Sequence, residues 1–273
     1  MPEAPELQVT VEFLRPRLPG QAIADAQVLK PSVVRSRAAS LSDDAVGREF
    51  VTIQRRGKFL LLGLSGGYAL VINPKLTGGL QYVAGKQRVL KKTCVRFGLS
   101  DGNDLRYVDD RQMGQFYYVP AEQVESVPGL AEQGPDVLDN FTFDDFKAGL
   151  KGFSGEIKGV LTRGRVISGI GNAYADEILF RAGVYPFKKR RALSDDELRR
   201  IHQCSREVIL DAIEEVRQRM GDQIDHKARD FLAVHNKGGQ PCPQCGNAIT
   251  ELRANQRITS YCRRCQPGML LKN

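Results

Sequence analysis

Two cysteine pairs near the C-terminus, Cys242-x2-Cys245 and Cys262-x2-Cys265, separated by sixteen residues, restrict the fold of this chain more than any other feature. Each pair places two thiolates on one tight turn, and two such turns close a tetrahedron around Zn²⁺. The sixteen intervening residues suit a short hairpin. Four protein ligands leave no coordination position for water or substrate, so one structural Zn²⁺ is expected. A pair of redox dithiols is the competing reading, although a closed four-thiolate set uses every cysteine of the segment. Cys94 and Cys204 lie outside the set and read as core residues.

Charge points to the same region. The chain has 273 residues and a formal net charge of +8, which favours a polyanionic partner. The last 48 residues, from His226 on, hold eight Lys or Arg against Asp230 and Glu251. Arg253, Arg257, Arg263 and Arg264 would therefore ride on a zinc-pinned scaffold, where they can meet phosphates. The longest uncharged stretch, 59–74, is 16 residues broken by glycines, and a spanning helix needs about 20 apolar residues. The opening Met-Pro-Glu-Ala-Pro-Glu has neither a basic nor an apolar signal region, so an intracellular location is expected, cytoplasmic or with the nucleoid. A monomer is the default expectation.

The hydrophobic period changes along the chain. Leu7, Val11, Leu14 and Leu18 form a helical stripe that Pro16 should end. Short strands follow: 59–64 and 68–72 flank Ser65-Gly66-Gly67, and 93–99 and 104–108 flank Asp101-Gly102-Asn103. The two Gly and two Pro of 128–135 mark a linker. Beyond it the period is helical. Thr142 with Asp145 resembles a helix start, and Ser194 with Glu197 is a capping box for a long helix with Leu198, Ile201, Ser205, Val208, Ala212, Ile213 and Val216 on one face. Gly169-Ile170-Gly171-Asn172 runs into a further helix, 173–182, with Asn172 as its expected N-cap; such a start can bind an anion or be purely steric.

Taken in order, these pieces resemble the formamidopyrimidine-DNA glycosylase and endonuclease VIII family of repair enzymes. The matching residues are Pro2-Glu3 with Pro5-Glu6, Arg56-Gly57-Lys58, Leu105-Arg106-Tyr107-x-Asp109-x-Arg111, Gly169-Ile170-Gly171-Asn172-x-Tyr174-Ala175-x-Glu177, and Arg257-x-Thr259-x2-Cys262-x2-Cys265-Gln266. The resemblance implies an α+β multidomain fold. Its parts are an N-terminal β-sandwich with a leading helix (1–127), a helical helix–two-turn–helix domain (136–225) and a C-terminal zinc-ribbon finger (235–273), with Zn²⁺ on Cys242, Cys245, Cys262 and Cys265. The implied partner is double-stranded DNA carrying a damaged base or an abasic site.

The implied activity is that of a bifunctional DNA glycosylase and abasic-site lyase. Pro2, once Met1 is removed, would be the nucleophile through a Schiff base, Glu3 the proton shuttle and Lys58 a phosphate-contacting catalytic lysine. An α-amino group is roughly a tenth unprotonated at neutral pH, against about 0.04% for a lysine. Glu6 and Glu177 would support. Leu76, Arg111 and Met113 would fill the void left by an extruded nucleotide, while Lys158, Asn172 and Arg257 would meet phosphates. Asn73-Pro74-Lys75-Leu76-Thr77-Gly78 departs from the family's His-Leu-x-Met-Ser-Gly, Asp110 and Gln112 replace a Pro and an Arg, and 221–234 is short. The lesion therefore stays open among 8-oxoguanine, formamidopyrimidines, oxidised pyrimidines and an unusual lesion. A non-catalytic DNA-structure-binding protein on the same scaffold is the alternative.

Overall fold

The computed structural model describes residues 1–35, 41–254 and 257–268. The expected end of the finger, 269–273, lies outside the described residues. The chain divides into two compact units, 1–131 with 216–228, and 132–215 with 229–273.

In the first unit, helix α1 (Ala4–Leu14) buries Leu7, Val11 and Leu14, the stripe expected from the sequence, and stops before Pro16. Strand β1 (Ile23–Val28) and the short helix α2 (Leu41–Asp44) follow. Strands β2 (Phe50–Arg56), β3 (Phe59–Leu64), β4 (Tyr68–Asn73), β5 (Gly79–Ala84), β6 (Thr93–Leu99), β7 (Asn103–Val108) and β8 (Gln115–Pro120) complete the unit. They form two four-stranded antiparallel sheets, ordered β1-β6-β7-β5 and β2-β3-β4-β8. Both hairpins marked by glycine turns are present, as the registers Leu64↔Tyr68 and Gly98↔Asp104 record.

The inner faces of the sheets meet through aromatic rings. Phe50 on β2 lies edge-on to Phe97 on β6 at 6.4 Å between centroids, and Phe116 on β8 lies 5.5 Å from Tyr107 on β7. Such rings bury large apolar areas and add about 0.5–1.5 kcal/mol per pair through their geometry. A buried ion pair, Asp104 with Arg106 at 2.7 Å, lies along β7.

In the second unit, α3 (Phe143–Gly149) starts at Thr142, whose hydroxyl accepts the Asp145 N–H as expected. Helices α4 (Ile157–Leu161), α5 (Asn172–Arg181) and α6 (Asp195–Met220) follow, and α6 carries its last turns into the first unit. Ser194 and Glu197 exchange the two capping hydrogen bonds. The expected apolar face of α6 is buried throughout, including Ser205, whose hydroxyl donates back to the Ile201 carbonyl.

One helix start differs from expectation. The N-cap of α5 is Gly171, in extended backbone, and Asn172 is already helical. Its amide is drawn elsewhere, donating from Nδ2 to the carbonyl of Ile258 at 2.8 Å. The unit ends in a two-stranded ribbon, β9 (Thr250–Ala254) paired with β10 (Arg257–Tyr261). Cys242, Cys262 and Ile249 pack against Phe180 and Val234, so the ribbon shares a core with α5.

Candidate functional sites

The N-terminus of α1 gathers the first set of residues. Pro2 is buried, and Glu3 and Glu6 are 1% and 2% exposed. Carboxylates this deep need partners, and the Glu3 N–H donates to Glu6 Oε2 at 2.8 Å. The acids also match the positive end of the α1 dipole. Pro2 and Glu6 line a narrow recess with Leu60, Gly78, Gly79 and the segment 224–227. Asp225 is fixed there by Lys92 and by Gln81, each at 3.0 Å. Thr10 donates to the Ile224 carbonyl at 3.3 Å and Lys227 to the Leu76 carbonyl at 2.6 Å.

Lys58 sits on the two-residue turn joining β2 to β3. Gly57 supplies the left-handed conformation (φ 57°) that a side chain would resist. Leu76, Arg111 and Met113 stand on two loops of the same unit, 74–78 and 109–114, and all three are exposed. Burial lowers the Lys75 ammonium pKa, since the charged form loses hydration.

The second unit holds another set. The buried Lys158 ammonium lies 2.7 Å from Asp176 Oδ1, 2.7 Å from the Ile258 carbonyl and 3.0 Å from Thr259 Oγ1. Asp176 Oδ2 meets His235 Nδ1 at 2.7 Å and the Ser260 N–H at 3.1 Å. Glu177, its neighbour, accepts the N–H groups of Ala233, Val234 and His235 at 2.8–2.9 Å. Burial nevertheless raises the Glu177 pKa, against the opposing pull of those amides. Lys158, Asn172, Thr259 and Arg257 all line one groove, where Arg257 is exposed. Asp176 falls on an unspecified position of the glycine-turn motif, and only proximity in space marks it.

The four finger cysteines come together. Their sulfurs all lie within 4.8 Å of one another, with Cys242–Cys265 at 3.8 Å and Cys245–Cys262 at 3.5 Å. A tetrahedral site with Zn–S bonds of about 2.3 Å has sulfur–sulfur edges of about 3.8 Å. The donor set and its spacing fit one structural Zn²⁺. Cys94 and Cys204 are buried, as expected for core residues.

Three family models match in order. They are the formamidopyrimidine-DNA glycosylase N-terminal domain over residues 1–116, the formamidopyrimidine-DNA glycosylase H2TH domain over 133–223, and a zinc finger found in FPG and IleRS over 239–268. The formamidopyrimidine-DNA glycosylase of Pelotomaculum thermopropionicum is 35% identical over 273 residues, covering 97% of this chain and 99% of the relative. The solved MutM (Fpg) protein of Thermus thermophilus is 33% identical with a TM-score of 0.85, covering 97% of this chain and 98% of that one. The Lactococcus lactis Fpg, solved with DNA containing N7-benzyl-Fapy-dG, is 25% identical with a TM-score of 0.88, covering 98% and 100%. With its zinc finger, its helical domain and its two-sheet N-terminal domain all matched in order, this chain belongs to the formamidopyrimidine-DNA glycosylase family.

Proposed function

We propose that this protein is a base-excision repair glycosylase that removes a damaged base from double-stranded DNA and then nicks the strand as an abasic-site lyase. The observation that carries this reading is Pro2 in a recess with Glu6, directly beside the buried Glu3. While Met1 is attached, the Pro2 nitrogen is a tertiary amide and cannot attack. Removing Met1 frees a secondary amine at the position where the fold has gathered acids.

In the proposed sequence the amine attacks the sugar C1′ and the glycosidic electrons leave with the base, which takes up a proton. Proton loss from nitrogen and ring opening give an iminium. Glu3 delivers the proton to the opening ring oxygen. The iminium then acts as an electron sink: a C2′ proton is lost and the 3′ phosphate departs. Lys58, on its glycine-fixed turn, meets a neighbouring phosphate, and Glu6 holds the Glu3 backbone in register.

Leu76, Arg111 and Met113 fill the void in the duplex. Arg257 offers an exposed cation in the second-unit groove, with Lys158 and Asn172 lining it toward the phosphates. Glu177 supports by holding 233–235. The domains are assigned as 1–127, 136–225 and 235–273. The bound zinc supplies no reaction chemistry; it holds the ribbon that presents Arg257.

Borohydride reduces an iminium and makes the adduct permanent. Protein lacking Met1 should be trapped on a duplex with one abasic site, and acetylating its N-terminus should abolish trapping. Free N-terminus with no adduct, but tight binding to that duplex, would favour the non-catalytic alternative.

A further inference from the structure

We infer that Asp109 is a positioning residue: through Thr77 and Tyr107 it locks two separate loops into one rigid patch, so that Leu76, Arg111 and Met113 enter the duplex as a unit. This rests on the proposed role of those three side chains. Asp109 is 1% exposed and directly follows β7. Its Oδ1 accepts the Thr77 hydroxyl and the Arg111 N–H, the latter at 3.2 Å. Its Oδ2 accepts the Gly114 N–H at 2.7 Å and the Tyr107 hydroxyl at 3.4 Å. The Thr77 oxygen in turn accepts the Arg111 N–H at 3.1 Å, so one hydroxyl joins the 74–78 loop to both the carboxylate and the backbone of the other loop.

The two loops also close around the Tyr107 hydroxyl. A Cβ at Gly78 or at Gly114 would collide with it, so each loop returns to its strand at a residue that must lack a side chain. Burial and the Asp109 charge push the Tyr107 pKa far above its ordinary value, which keeps the hydroxyl a donor.

Backbone strain marks the same places. Lys75 (φ 50°) and Gln112 (φ 52°) are two of three non-glycine residues in the left-handed region among the described residues. Each immediately precedes an exposed apolar side chain, Leu76 at 40% and Met113 at 51%. Such conformations persist only where surrounding structure enforces them, and they cluster at functional sites. Both side chains are exposed, yet a buried carboxylate that accepts four hydrogen bonds and two strained residues hold the loops that carry them.

Thr77→Val removes the hydroxyl at nearly constant shape, and Asp109→Asn removes the charge. The first test substrate is a duplex abasic site with 2-aminopurine opposite, whose fluorescence reports insertion. The second is a single-stranded abasic oligonucleotide, which has no void to fill. Both variants should lose about 10- to 100-fold in borohydride trapping on the duplex and lose the fluorescence change. Trapping on the single strand should stay within about twofold, and Thr77→Ser should restore the duplex reaction. Equal losses on both substrates, or none on either, would overturn the positioning role. If Asp109→Asn does not fold, Thr77→Val decides alone. Unaltered protein that is trapped on neither substrate would instead sink the lyase reading on which this inference rests.

Discussion

At the scale of single residues, two close approaches carry sharp expectations. Gly114→Ala should destabilise the first unit, because its methyl meets the Tyr107 hydroxyl. Adding Tyr107→Phe should recover part of that loss, so the double variant should melt above the value expected from additivity. Asp176→Ala leaves the Lys158 ammonium buried beside its remaining neutral acceptors. Breaking a buried pair in this way costs roughly 3–5 kcal/mol, readable by denaturant unfolding. The family resemblance named Lys158, Asn172 and Glu177, the last two at positions of the glycine-turn motif. It did not name Asp176, Thr77 or Asp225 as organising residues, since their partners lie far along the chain, as with Asp176 and Ser260, 84 residues apart. The same distance explains Asn172: its local chemistry favours capping, but the carbonyl of Ile258 outcompetes the helix end.

At the scale of elements, local rules sufficed wherever the signal was local. Glycine turns located both hairpins, and the Ser194–Glu197 pair located the start of α6. Ser194→Ala should lower stability by about 1 kcal/mol, with no change in zinc content. A drop many times larger would mean that the cap also braces Lys188, which ion-pairs with Glu197 at 2.7 Å. The extent of the linker was less legible. Leu130 is fully buried with Val127, Phe59 and Val71 while Pro128 and Ala131 are exposed, so one residue anchors the first half of 128–135 to the core, and the division into units falls at 131/132. A Pro- and Gly-rich composition reports turns, whereas burial depends on a β-sheet face that the composition does not describe.

At the scale of the whole molecule, charge and metal act together. The ribbon has little apolar core of its own: its cysteines and Ile249 pack on Phe180 and Val234. Chelating the zinc should therefore expose four reactive thiols, while Cys94, whose burial raises its pKa to about 11, stays unmodified in folded protein. Duplex affinity should fall with it, and the slope of affinity against salt should become shallower by about one unit for each phosphate the finger no longer neutralises. Retained affinity after complete zinc release would remove the finger from the DNA-binding account.

The covalent step is tested most directly by locating the bond itself. Borohydride-trapped protein on an abasic-site duplex should be digested with protease and nuclease and the modified peptide sequenced by mass spectrometry. The sugar remnant should sit on the nitrogen of Pro2, in a peptide that begins there and lacks Met1. A remnant on a lysine side chain, with the Pro2 nitrogen unmodified, would contradict it.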